Sequence, residues 1–213
     1  MKYLFFIASL VIQISAFSQD KPKWDINNPP GAFKDVSFTT NEGTWMNVDV
    51  SPDGKYAAAG YFDGSIRVWD MNNKNAEPML FSGHTDIVNE IAFMPDGKSL
   101  VSVSSDGSVL IWDIRQNNNE QTPQSILFSV KLTSLARNND GSKIAVGCND
   151  GTIQLIAMKN VSELPIVIRT GEKSVEAISF SPDGNILASG GKSGKLQLWN
   201  VKKPEAKPIE LLG

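Results

Sequence analysis

The chain has 213 residues, with 20 Lys plus Arg against 23 Asp plus Glu, a net charge of -3 and a single cysteine. A mildly acidic surface of mixed sign lacks the positive field that phosphate backbones and anionic bilayers require, so neither is expected as a partner. The lone Cys148 excludes an intrachain disulfide framework and reads as a small buried hydrophobe in a strand.

At the N-terminus, Lys2 precedes an apolar run over 3–17 broken only by Ser9, Gln13 and Ser15, and Ala16-Phe17-Ser18 supplies a small-x-small site before Gln19. The pattern predicts a secretory signal peptide over 1–18, too short to cross a bilayer, and a mature protein in the periplasm or outside the cell. Gln19 rather than a cysteine stands directly after the expected cleavage site, so no lipid anchor is expected, nor any stable membrane insertion once the signal is removed. Residues 19–40 read as an extension in which 35–39 can form an outer strand.

From residue 41 the sequence repeats itself. Asp63-Gly64, Asp106-Gly107, Asp150-Gly151 and a degenerate Ser193-Gly194 follow one another at 43, 44 and 43 residues. Pro52-Asp53-Gly54, Pro95-Asp96-Gly97, Asn139-Asp140-Gly141 and Pro182-Asp183-Gly184 keep the same beat. Two turns in step define one supersecondary unit used four times, over about 41–82, 83–126, 127–169 and 170–213.

The second unit is the clearest. Strand-forming runs around Val88 to Phe93, Ser99 to Ser104, Ser108 to Asp113 and Ser125 to Phe128 are separated by Pro-Asp-Gly, Asp-Gly and a polar stretch, which predicts a four-stranded antiparallel meander and an all-β chain. Units one and four keep the landmarks Trp69-Asp70 and Trp199-Asn200, whereas unit three has Ile156-Ala157 there and Arg137 in place of an aromatic residue.

A Gly83-His84 start, a Pro-Asp-Gly hairpin, a Ser-bearing strand, an Asp-Gly turn and a closing Trp112-Asp113 resemble the WD-repeat family of β-propellers over about 41–213. The resemblance implies four four-stranded blades, a partial ring, and a binding platform rather than an enzyme. It also implies that Asp106 holds His84, that His84 bonds Ser102, and that Ser102 bonds the Trp112 indole, a structural network locking adjacent strands. In the other units this network is expected to be incomplete, with Asn41, Phe128 and Gly171 at the His position and Ser193 at the last Asp position. Family rings usually have about seven blades, and Leu211-Leu212-Gly213 stands where Phe81-Ser82-Gly83 precedes His84. A partial chain is the first expectation, with two copies completing one ring or a closed four-blade ring as alternatives.

His84, Ser102 and Asp106 also invite a hydrolytic triad. Ser102 lies mid-strand between Val101 and Val103, however, without the exposed elbow and oxyanion hole a nucleophile needs. One His, one distant Cys and no acidic loop of calcium-site spacing predict no metal site, and the hairpin glycines form no phosphate loop. No catalytic residue and no cofactor are expected. Asp53, Asp63, Asp96 and Asp183 read as turn residues that adopt left-handed geometry and cap amides.

The loops leading into each first strand share one end of the meander with the second-to-third-strand turns. That end collects Trp45, Tyr61, Phe62, Asp86, Ile87, Lys131 and Lys173 as candidate partner-binding residues. Tyr61-Phe62 beside Trp45 is either a recognition patch or a packing surface for the N-terminal segment. Residues 24–54, from Trp24-Asp25-Ile26-Asn27 to Ser51-Pro52-Asp53-Gly54, additionally resemble the opening of exported TolB-like propellers that accompany amidohydrolase domains. The expected function is therefore an exported scaffold for a protein or peptide. The alternative is the accessory propeller of a larger metal-dependent hydrolase whose catalytic domain is absent from this chain. Self-association through open blade ends is a further expectation.

Overall fold

Among the described residues, sixteen short strands in sequence order make four sheets of four strands each. The structure, a computed structural model, describes residues 45–73, 75–115 and 122–211. The expected signal peptide, the 19–40 extension with its 35–39 strand, Asn41, the opening of the TolB-like segment, and Leu212-Gly213 lie outside the described residues.

Blade 1 is built from β1 (Trp45–Val50), β2 (Tyr56–Tyr61), β3 (Ser65–Asp70) and β4 (Met79–Ser82). Blade 2 follows with β5 (Val88–Phe93), β6 (Ser99–Ser104), β7 (Ser108–Asp113) and β8 (Gln124–Leu127). Blade 3 has β9 (Leu132–Arg137), β10 (Lys143–Cys148), β11 (Thr152–Ala157) and β12 (Ile166–Arg169). Blade 4 has β13 (Val175–Phe180), β14 (Ile186–Gly191), β15 (Leu196–Asn200) and β16 (Ile209–Leu211). Every pairing is antiparallel between sequence neighbours, the meander that short turns impose. The all-β prediction holds, and among the described residues the four sheets do not close into a ring.

The hydrophobic core lies in the seams between blades. One cluster joins Ala58, Ile66, Val68 and Phe81 of blade 1 to Val88, Ile91, Phe93, Leu100, Leu110 and Trp112 of blade 2. A second joins Val101, Val103 and Val109 to Leu132, Leu135, Ile144, Val146 and Ile156, and a third joins Ala145, Ile153, Leu155 and Ile168 to Val175, Leu187 and Trp199. Inner strands therefore carry apolar residues toward both neighbours, as sheets covered on two faces do. Cys148 is fully buried in the second seam, where burial pushes its thiol up to about 11.

The turns explain the repeat. Each Asp-Gly turn closes with a glycine amide donating back three residues, as Gly107 N–H does to Ser104 O at 3.1 Å. The aspartates cap amides as expected but not in left-handed geometry, because positive φ falls on glycines alone and no other described residue adopts it. Asp106 accepts from the Ser108 amide at 2.8 Å, and Asp63 and Asp150 accept from Ser65 and Thr152 in the same way. Gly107, at φ +84°, has a second reason to lack a side chain: a Cβ there would stand 2.5 Å from Phe128 O in the loop leading to the next blade. Gly64 meets His84 O and Gly151 meets Glu172 O in equivalent positions, so the turn is also the joint between blades.

Candidate functional site

Blade 2 carries the His84 constellation at its outer seam. His84 sits just before β5, Ser102 is on β6, Asp106 is in the turn after it and Trp112 is on β7. The His84 side chain is fully buried. Its Nε2 lies 2.7 Å from Ser102 Oγ, and Nδ1 lies 3.1 Å from Asp106 Oδ2 and 2.8 Å from Ser108 Oγ. Trp112 Nε1 donates to Ser102 Oγ at 2.9 Å.

One assignment of protons satisfies all of these contacts. The indole N–H donates to Ser102, the Ser102 hydroxyl donates to Nε2, and the Nδ1 proton is shared by Ser108 and Asp106. Asp106 completes the chain by accepting from the Thr85 amide at 2.9 Å and the Ser108 hydroxyl at 2.6 Å. Burial depresses the His84 pKa below its ordinary 6.5 despite the Asp106 charge, so the ring is neutral at neutral pH. Burial by itself would raise Asp106, but the Ser108 hydroxyl, the Thr85 and Ser108 amides and His84 outweigh it and hold the carboxyl low.

Ser102 is wholly buried and its oxygen is committed to His84 and Trp112, so it offers no face to an incoming carbonyl. Ser108 and Thr85 are network members that the sequence reading missed. The signal was available: Asp63-Gly64-Ser65, Asp106-Gly107-Ser108 and Asp150-Gly151-Thr152 each place a hydroxyl after the glycine, and each hydroxyl donates to its Asp at 2.6 Å.

The other blades carry reduced versions. Blade 4 retains the indole bond, Trp199 Nε1 to Ser189 Oγ at 2.9 Å. Blade 3 has Phe128, Val146 and Ile156 at the His, Ser and Trp positions, an apolar filling of the same space. One alignment needs correction: in blade 4 the residue that meets the turn is Glu172 rather than Gly171. Its carboxylate accepts from the Ser193 amide at 3.2 Å and from the Ser193 hydroxyl. Acid and hydroxyl have exchanged sides, because Gly171, at φ +77°, adds a bend that brings Glu172 over the turn.

Of the residues expected at the loop end, Phe62, Asp86, Lys131 and Lys173 are exposed or partly exposed, and Ile87 is half-buried. Asp86 and Lys131, from the lead-in loops of blades 2 and 3, form an ion pair at 3.4 Å. Asn149 braces the Lys131 loop by accepting its amide at 3.1 Å and donating its own amide to Lys131 O at 3.0 Å. Tyr61 corrects the expectation of an aromatic pair at the surface: it is 1% exposed, whereas Phe62 is 59% exposed. The end of the strand separates them: Tyr61 is the last residue of β2, which is buried on both faces, with Arg67 stacked 4.8 Å over its ring, whereas Phe62 enters the turn. The Trp45 backbone begins β1 opposite Tyr61, while its side chain lies outside the described residues.

Among the described residues no group of three or more His, Cys, Asp or Glu is placed to hold a metal ion. No described helix is long and apolar enough to cross a membrane.

Comparison with known proteins gives the same repeat. The "WD domain, G-beta repeat" family matches residues 36–70, 77–113, 125–156 and 164–200, well over half the chain. A mouse protein named Periodic tryptophan protein 2 homolog is 36% identical over 72 residues, covering 33% of this chain and 8% of that protein. The U3 snoRNP-associated protein-like EMB2271 of Arabidopsis thaliana is 28% identical over 200 residues, 90% of this chain and 40% of that protein. Mouse Transducin-like enhancer protein 2 is 28% identical over 178 residues, 84% of this chain and 22% of its own length. The chain thus spans less than half the length of each of these relatives. Four matched repeats, one per observed sheet, show that it belongs to the WD-repeat family.

Proposed function

We propose that this chain is an exported, non-catalytic interaction scaffold that presents one loop end to a protein or peptide partner. The observation that carries the reading is Phe62, a large aromatic side chain 59% exposed at a turn whose neighbour Tyr61 is buried. An exposed aromatic residue on a rigid turn is the type of anchor that dominates binding energy at protein interfaces. Around the same end stand the Asp86–Lys131 pair and Lys173, charged groups suited to a polar rim.

The scaffold reading also rests on the economy of the His84 network, whose polar groups are spent on one another. The export reading rests on the apolar run over 3–17 after Lys2. Affinity capture from the exported fraction of the source cells, with wild type beside a Phe62→Ala/Lys131→Glu variant, tests the binding face. A partner held by wild type and lost by the variant, with thermal stability unchanged, is the expected result. Identical captures by the two proteins would remove the loop end from the proposal.

A further inference from the structure

The three seams are not filled alike near their outer strands. Between blades 1 and 2, Phe81 of β4 meets Trp112 of β7 edge-on, with ring centroids 5.6 Å apart, and Leu110 lies in the same cluster. Between blades 2 and 3, the Phe128 ring packs into the cluster that holds Ile156. The cluster between blades 3 and 4 takes Ala145, Ile153, Leu155 and Ile168 from blade 3, and no aromatic ring. Strand pairing puts Ile168 where blade 1 has Phe81, each opposite the second residue of its third strand. Trp199 repeats Trp112, and Gln197 stands where blade 2 has Leu110. Both changes fall at one place, and there the structure has a cleft of about 740 Å³. Buried Ile168, Gln197 and Trp199 form its floor, and the 204–208 segment lines it as well.

The floor also carries an unused acceptor. Gln197 is only 4% exposed, and its Nε2 donates to Thr170 O at 3.0 Å and to Glu210 Oε1 at 3.1 Å, two acceptors that fix which way the carboxamide points. That orientation leaves Gln197 Oε1 buried with no donor among the described residues, a cost that an incoming donor relieves. Beside the floor runs a free strand edge. β12 is outermost in its sheet, and the Thr170 amide just past it donates inward to Gly151 O at 3.1 Å. The alternation of an antiparallel pair then turns the N–H and C=O of Val167 and Arg169, which line the cleft, away from β11.

We propose that the β12 edge and this cleft bind an extended peptide that presents one aromatic side chain carrying a hydrogen-bond donor, a phenol or an indole. The ring takes beside Trp199 the place that Phe81 takes beside Trp112. Its donor serves Gln197 Oε1, a need that Leu110 does not create at the equivalent position of blade 2. A bare phenyl ring therefore suits the first seam and leaves the third with its acceptor unpaired. The occupant is a peptide because the free groups of Val167 and Arg169 supply main-chain bonds to an added strand, and an added strand's alternate side chains fall on the Ile168 side of the sheet. None of these residues belongs to the loop end carrying Phe62, so the inference does not rest on the scaffold reading.

The test uses the 213-residue protein, after export processing, with a labelled heptapeptide of threonine and valine around a central tyrosine, read by fluorescence anisotropy. The expected result is saturable binding that weakens at least tenfold when alanine replaces the tyrosine. Ile168→Phe, which supplies from within the ring that Phe81 provides in the first seam, should weaken it as much, with thermal stability unchanged or raised. Phenylalanine in place of the tyrosine should cost about fivefold on wild type, the scale of one hydrogen bond. Gln197→Leu should erase that preference while still binding the phenylalanine peptide. Equal affinities for the tyrosine and alanine peptides, or no saturation at millimolar peptide, would overturn the proposal. So would N-acetyltyrosinamide binding as tightly as the peptide, since the β12 edge would then contribute nothing, or a tyrosine preference that survives Gln197→Leu. A concentration-dependent dimer of the protein alone that Ile168→Phe dissolves would overturn it too, because the occupant would then be a second copy.

Discussion

His84 shows how one buried polar residue is made tolerable. Both ring nitrogens have partners, and every partner is itself satisfied, so removing the ring strands several groups at once. His84→Ala is expected to cost about 1–3 kcal/mol, measured by urea denaturation, and Ser189→Ala in blade 4 is expected to cost less because only the Trp199 N–H loses its partner. The ring also gives a pH signature. Because its folded pKa lies below its ordinary 6.5, the unfolded chain binds the proton first as pH falls. The stabilisation it provides is complete above pH 6.5 and declines as pH drops below that value toward the folded pKa. The His84→Ala variant should lack this segment of the stability–pH curve, and an unchanged slope there would contradict the assignment of a buried neutral imidazole.

At the scale of the strand and turn, the Asp-Gly hairpin both ends a strand and seats the next blade. Gly107→Ala must place a side chain at positive φ, which costs about 1–2 kcal/mol, and must also move Phe128 O. Gly194→Ala incurs the conformational cost without the collision, since no described atom stands near its Cβ position. The difference between the two urea midpoints therefore measures the joint, with Gly107→Ala the less stable; equal losses would show that the lead-in loop yields freely. These turns are also why the fold was legible in the sequence. Gly and Asp report local backbone demands at fixed positions, so the 43- and 44-residue beat gave strand count and pairing order. Side-chain direction at strand ends was less legible. Tyr61 and Phe62 are adjacent and chemically alike, and only the point at which β2 gives way to the turn decides that one is core and the other surface. Glu172 was missed for a related reason, since the bend at Gly171 shifts the facing residue by one without disturbing the strand spacing.

Across the whole assembly of blades, first strands are joined by side chains that accept the free edge amides of their neighbours. Asp49 Oδ2 accepts from Phe93 N–H at 2.8 Å, linking blades 1 and 2, and Glu90 Oε2 accepts from Leu135 N–H at 2.5 Å, linking blades 2 and 3. Thr133 continues the series by donating to Val175 O in blade 4. Burial raises both carboxyl pKa values. The Phe93 and Val50 amides and the Arg137 charge only partly offset this for Asp49, and the Leu135 amide does so for Glu90, which the Asp49 charge raises further. The sign is opposite to that of His84. A carboxyl whose folded pKa is raised favours the protonated fold, so its contribution falls as pH climbs from the ordinary 4.5 of Glu90 through the folded value. Glu90→Gln keeps an oxygen for the Leu135 amide and removes the buried charge. That variant should be at least as stable as wild type at pH 7 and should flatten the decline just above pH 4.5. Glu90→Ala instead leaves the amide without its acceptor and should lose about 1–3 kcal/mol at every pH. If Gln and Ala destabilise equally at pH 7, the charge itself rather than the accepted amide holds blades 2 and 3 together.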